Sequence, residues 1–436
     1  MIKGFRGSIL HFLSEPTQEN FAVSYQCIDD GLLLISDDKI ISIGEYSNLI
    51  KNLDKHIEIT DYSGKILMPG FIDTHIHFPQ LEIIAAYGRQ LLEWLSLYVF
   101  PTEGKYSDKP YSSSKASFFL EELLRNGTTT AVIYPTVHIN SVETLFEKAE
   151  KLGMCIISGK VLMDRNAPLY LMDTPKTSYE ESKYLINKWH SKGRLKYAIT
   201  PRFAITSTEE QLEVASTLKE EFPDVYIQTH LSENKEEVKL IKQLYPWSID
   251  YINVYEKFNL LTPKTILGHC IYLSARGYGV VKETESVISW CPSSNFFLGS
   301  GVFNLQKAIR NGVNVAIGSD VGGGNRIFML QVLNEAYKVA ALKNIKLSPF
   351  SSLYTLTLGN AKLLKLQDEI GNFETGKYAD FVVLDPCNTP LMSERMKNTR
   401  HLEDTLFTLQ MLADNRCVKA TYIKGELKYD NKNIYY

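Results

Sequence analysis

The stretch Met68-Pro69-Gly70-Phe71-Ile72-Asp73-Thr74-His75-Ile76-His77 decides how the chain is read. Its apolar start, Pro-Gly break and β-rich run predict a short buried strand with two histidines at its far end. Side chains i and i+2 of a strand project to one face, so His75 and His77 leave the strand together. Two imidazoles side by side on a buried strand make half of a metal site. Two ordinary core histidines would show the same spacing, so partners elsewhere in the chain must decide.

The chain has 436 residues, 44% of them hydrophobic and 22% charged. That composition is globular, and the length fits two ordinary domains or one large barrel with an accessory domain. A formal charge of -3 offers no basic field to a phosphate backbone, which argues against nucleic acid and leaves small neutral substrates open. The N-terminus lacks a charged n-region followed by an apolar h-region, and no apolar run approaches membrane-spanning length. A cytoplasmic protein with no membrane partner is expected. Cys27, Cys155, Cys270, Cys291, Cys387 and Cys417 include no C-x-x-C pair, so neither a disulfide framework nor a thiolate zinc site is indicated.

Residues 1–66 alternate short β-rich runs with turn signals, as in Gly31-Leu32-Leu33-Leu34-Ile35-Ser36 followed by Asp37-Asp38. Residues 371–436 return to that texture, and the two ends are expected to form one discontinuous β-sandwich domain. Residues 67–370 alternate apolar strand-like runs with amphipathic helical stretches, the pattern of βα units. Besides the run into His75, strands are predicted over Thr128 to Tyr134, Cys155 to Met163, Lys196 to Thr200, Val225 to Thr229, Thr265 to Gly268, Ser286 to Trp290 and Val313 to Gly318. Eight such units predict an α/β fold built on a (β/α)8 TIM-like barrel, whose active site lies at the C-terminal strand ends.

Chemistry gathers at those ends. The fifth run leads into His230-Leu231-Ser232-Glu233, the sixth into His269 and the eighth into Asp320. Singly, His230 and Asp320 read as helix caps and Glu233 as a first-turn acid. Together, at one relative place in their units, histidines from three strands and a carboxylate fit a zinc site with a position open to water. The run Gly322-Gly323-Gly324 lacks the Lys-Ser/Thr of a phosphate-binding loop. It is expected to be a flexible turn that lets backbone approach the metal mouth. The H-x-E with P-C-x-x-C pattern of another zinc deaminase design is absent.

The His75–His77 phrase, the strand-five and strand-six histidines, the strand-eight Asp320 and the tail Gly371-Asn372-Phe373-Glu374-Thr375-Gly376-Lys377-Tyr378-Ala379-Asp380 resemble the amidohydrolase superfamily over nearly the whole chain. Leu91-Leu92-Glu93-Trp94-Leu95-Ser96-Leu97-Tyr98-Val99-Phe100-Pro101-Thr102-Glu103 is similar to the signature segment of its guanine deaminase family. Gln80, Pro201-Arg202-Phe203, His230 to Asn234 and Cys291-Pro292-Ser293-Ser294-Asn295 extend that resemblance. Val99 and residues 274–279 depart from the family pattern without removing a chemical group.

The resemblance implies hydrolytic deamination of guanine to xanthine and ammonia by a cytoplasmic homodimer carrying one Zn2+ per subunit. A two-metal site would need a lysine at the end of strand four, where Thr200-Pro201 stands instead and Lys196 lies at the opposite end. The expected metal ligands are His75, His77, His230 and Asp320, with His269 orienting water or substrate and direct ligation by His269 as the alternative. Asp320 and Glu233 would handle protons, since a carboxylate within hydrogen-bond reach can accept and return one. Gln80 and Arg202 would recognise the purine, and Trp94, Leu95 and Phe203 would wall it. Alternatives are another superfamily deaminase, acting on cytosine, adenosine derivatives or triazines, and a catalytically silent structural relative.

Overall fold

The computed structural model describes residues 2–54, 56–87 and 90–431. Four strands open the fold: β1 (Ile2–Phe12), β2 (Tyr25–Ser36), β3 (Lys39–Glu45) and β4 (Glu58–Pro69). β1 and β2 pair antiparallel with Phe5 opposite Leu33. Asp37 and Asp38, with φ of 53° and 87°, supply the left-handed pair that a two-residue hairpin between β2 and β3 requires. Gly70 then carries the chain into the barrel. A Cβ there would lie 2.2 Å from Thr129 Oγ1, so no larger residue fits.

The barrel strands are β5 (Phe71–His77), β6 (Thr128–Tyr134), β7 (Cys155–Ser158) with its short extension β8 (Val161–Leu162), β9 (Leu195–Pro201), β10 (Tyr226–Leu231), β11 (Thr265–His269), β12 (Val287–Trp290) and β13 (Asn314–Ile317). β5, β6, β7, β9, β10, β11, β12 and β13 run parallel in that order, matching the eight runs expected from sequence. Strands of a parallel barrel are covered on both faces, and every residue of β6 and β10 is buried. β13 is held to β5 by Thr74 Oγ1 donating to Ile317 O at 2.9 Å and by Asn360, whose Nδ2 donates to both Ile72 O at 2.8 Å and Ile317 O at 3.2 Å. Past the strand end, Asp320 N–H donates to His75 O at 2.8 Å. These bonds fix the first and last strands, and so His75 and Asp320, side by side.

The chain returns in β14 (Phe381–Leu384), β15 (Val418–Ile423) and β16 (Glu426–Asp430). The accessory domain expected from the two chain ends takes the form of one seven-stranded sheet, in the order β16-β15-β14-β4-β1-β2-β3, antiparallel except for β1 with β4. It has its own core, in which the Phe5 ring meets those of Phe381 and Tyr422 at 5.0 and 4.9 Å. Leu10, Phe12, Met68 and Val382 join the core of the barrel instead. The tail segment clasps the two bodies: Asn372 Nδ2 donates to Phe12 O at 3.0 Å, and Asp380 takes a two-pronged buried ion pair from Arg194.

Candidate active site

His75 and His77 leave the end of β5 almost wholly buried, as the period of a strand requires. Glycines make room for the first ring. A Cβ on Gly268 would lie 2.7 Å from His75 Cε1, and one on Gly318 would lie 2.7 Å from His75 Cβ. His269 at the end of β11 and Asp320 just beyond β13 have φ of 70° and 50°, a left-handed backbone that is costly for residues with a Cβ and recurs at functional sites. The side chains converge. Asp320 Oδ1 lies 3.4 Å from His75 Nε2 and 3.3 Å from His77 Nε2, His77 Nε2 lies 3.1 Å from His230 Nε2, and His269 Nε2 lies 3.7 Å from Asp320 Oδ2.

Electrostatics follow from burial. It pushes the imidazoles of His77 and His269 down to about 4 and about 3, and that of His230 well below its ordinary value. The rings are therefore neutral donors near pH 7. Burial alone would raise Asp320, but the imidazole nitrogens gathered around its oxygens outweigh it and hold this carboxyl well below its ordinary range. Asp73 lies below the cluster, accepting from the backbone of His75 and Ser319 at 3.1 and 3.0 Å.

Glu233 reaches the same space by a route the sequence did not suggest. A helical turn running on from His230 would align the two residues, but the helix Lys235–Leu244 starts later, and Ser232, at φ 52°, makes the bend instead. Glu233 Oε1 accepts from Ser300 Oγ at 2.8 Å, and Oε2 lies 3.5 Å from His269 Nε2. Burial, then the negative charges of Asp320 and Glu237, push its pKa well above the carboxylate range. Glu237 accepts from the backbone N–H groups of Glu233 and Asn234 at 2.8 and 3.0 Å and is itself raised by burial to about 7.

Above the cluster lies a cavity bordered by Gln80, Trp94, Leu95, Arg202 and Phe203 together with His77, His230, Glu233, His269 and Asp320. Arg202 Nη1 donates to both oxygens of Glu103 at 2.8 Å, and Gln80 Nε2 donates to Glu103 Oε1 at 3.3 Å. The amidohydrolase family profile matches residues 66–428. Guanine deaminase of Escherichia coli K12 is 48% identical over 430 residues, covering 98% of each chain.

The chain belongs to the amidohydrolase family.

The solved E. coli guanine deaminase superposes with a TM-score of 0.96 at 48% identity, covering 98% of this chain and 99% of that one. The guanine deaminase of C. acetobutylicum, solved with guanine bound in its active site, gives 0.88 at 28% identity, with coverage of 98% and 100%. In this amidohydrolase, one donor atom each from His75, His230, His269 and Asp320 lies within 4.8 Å of the others, forming a buried group that fits a metal ion. His77 stands against two of its members. Both nitrogens of His75 and Nδ1 of His77 are buried with no hydrogen-bond partner, which costs about 1–3 kcal/mol for each atom left so. A cation at the point of convergence removes part of that cost. His230 Nδ1 faces Arg202 O at 2.7 Å, which leaves its Nε2 for the shared space, the arrangement by which an outer partner orients a metal-binding imidazole.

Three further residues of the site went unassigned from sequence. Glu103 and Asn295 stand inside quoted family segments without a role, and Ser300 stands outside them. Each acts through a partner 26 or more positions away, a pairing no local pattern encodes. At Gly322-Gly323-Gly324 the backbone comes close to the metal mouth, as expected, and leaves no room for side chains: a Cβ would lie 2.6 Å from Gln80 O, 3.1 Å from Asp320 Oδ2 and 2.0 Å from Ser319 O, respectively.

Proposed function

We propose that this amidohydrolase removes the 2-amino group of guanine by hydrolysis, giving xanthine and ammonia, with one zinc ion per subunit. The observation that carries the reading is the buried meeting of proton-handling carboxylates, Glu233 and Asp320, with a histidine cluster beneath a flat-walled cavity. The near full-length match to guanine deaminases adds the substrate.

His75, His77, His230 and Asp320 would hold the ion, since imidazoles with one carboxylate suit zinc and leave a position open. When bound, zinc makes water a nucleophile by bringing its pKa down to about 7. Asp320, ionised and at the cluster, accepts the proton of the attacking water. Glu233, kept protonated by its surroundings, gives a proton to the ring nitrogen beside C2, and the carboxylates then return a proton to the departing amine. Ser300 occupies Oε1 of Glu233, leaving Oε2 for the transfer. Asn295 Nδ2 lies 2.9 Å from His269 Nδ1. With the amide placed so, the neutral ring carries its proton on Nε2, which makes His269 an orienting donor rather than a ligand. Arg202 and Gln80 meet the polar edge of the base, and Trp94 and Phe203 cover its faces. We place the enzyme in the cytoplasm as a homodimer on the family resemblance; no helix among the described residues is long and apolar enough to cross a membrane.

The test is ammonia release by zinc-loaded protein offered guanine, adenine, cytosine and adenosine, with Glu233→Gln as control. We expect release from guanine alone, abolished in the variant. Release from a different base would keep the proton chemistry and overturn the substrate; no release at all would overturn the activity.

A further inference from the structure

Glu103 is wholly buried on the helix Phe100–Gly104, outside the set of side chains that border the cavity. It nevertheless joins two of the polar residues that do, Arg202 and Gln80. Both of its oxygens accept from Arg202 Nη1 at 2.8 Å, and Oε1 also accepts from Gln80 Nε2 at 3.3 Å. The Gln80 oxygen is turned the other way, toward the Gly322 N–H at 3.4 Å. An amide side chain has a donor end and an acceptor end of nearly one shape, so its hydrogen-bond partners alone decide which end lies where. A carboxylate, which only accepts, can hold only the nitrogen end.

From this geometry we infer that Glu103 is a specificity-determining residue, one that sets the polarity of the recognition pair. The inference rests on the guanine reading above and deepens it. By pairing with the guanidinium in a buried site, Glu103 cancels its charge, so Arg202 offers N–H donors to a neutral carbonyl or ring nitrogen without trapping anions. By holding the Gln80 nitrogen, it leaves the Gln80 oxygen to accept from a ring N–H. Such a pocket selects a neutral base bearing an acceptor and an N–H on neighbouring positions, which describes guanine. Xanthine, the more acidic product, loses a ring proton in mildly alkaline solution and then meets, at the Arg202–Glu103 end of the pocket, a pair with no net positive charge to hold it.

The test uses the zinc-loaded enzyme and two variants, Glu103→Gln and Glu103→Asp. A glutamine has one acceptor where two donors need it, and it leaves Arg202 charged. For E103Q we expect KM for guanine to rise roughly ten- to a hundredfold, the scale of a buried donor left unmet, with kcat changed much less and zinc content unchanged. We also expect inhibition by xanthine to tighten with rising pH in E103Q and not in the parent. Should E103Q fail to fold, E103D keeps the charge but not the reach: KM should rise while xanthine inhibition keeps the parent's pH dependence. A parental KM in either folded variant, or xanthine inhibition in E103Q with the parent's pH dependence, would overturn the inference. Equilibrium binding of guanine and xanthine reads the same contrast without turnover. A parent enzyme that fails to deaminate guanine is thereby distinguished from a Glu103 that does not set polarity.

Discussion

Asn295 shows what a single residue outside the reacting set can decide. Its amide nitrogen faces His269 Nδ1 at 2.9 Å, and we propose that it donates there and so leaves the imidazole proton on the nitrogen 3.5 Å from Glu233. Asn295→Asp would replace a donor by an acceptor and draw the proton to Nδ1. We expect kcat for guanine to fall about 10²-fold or more, as the wrong tautomer does in a histidine-dependent hydrolase, while bound zinc stays at the parent's level. Loss of zinc in proportion to activity would instead make His269 a ligand. The residues with chemical names of their own were legible: His75, His77, His230, Glu233, His269 and Asp320 all meet, and the five expected substrate residues border one cavity. Asn295, Ser300 and Glu103 were not, because their meaning lies in a partner on another element. The sequence shows an amide or a carboxylate, and the fold supplies the atom that it holds.

At the level of elements, the strand ends carry the design. Glycines at 268 and 318 leave a slot for His75, and left-handed turns at Ser232, His269, Cys270 and Asp320 redirect the chain where each functional side chain emerges. Gly318→Ala would set a Cβ 2.7 Å from that of His75 and 2.8 Å from its N, both on a strand that cannot move alone. We expect about 1–3 kcal/mol lost in urea unfolding, the usual range for overpacking, and weaker zinc retention in competition with a chelator. A variant with parental stability and parental zinc retention would show that the slot has slack. The strands themselves were readable because buried parallel strands are short runs rich in β-branched and aromatic residues, and Thr128–Tyr134 appears in the structure with its expected bounds. The bend after His230 was not readable, since nothing in His230-Leu231-Ser232-Glu233 distinguishes a left-handed serine from the start of a helix.

Across the whole molecule, two bodies meet along one clasp. The chain ends were recognisable as one domain by their shared β texture, but the pairing of β4 with both β1 and β14, which makes a single sheet of them, has no local signature. Nor has the ion pair of Arg194 with Asp380, 186 positions apart, which ties the tail to the barrel. The barrel brings β5 and β13 together, and so creates a site from residues separated by more than half the chain. We propose that this one buried cluster, loaded with one metal ion, turns guanine into xanthine. Xanthine formation from guanine should be followed with the protein before chelation, after complete removal of metal, and after stepwise return of zinc. Activity is expected to be lost on removal and to rise to a plateau at one zinc per chain. Equal rates with and without metal, or no xanthine at any loading, would contradict the proposal.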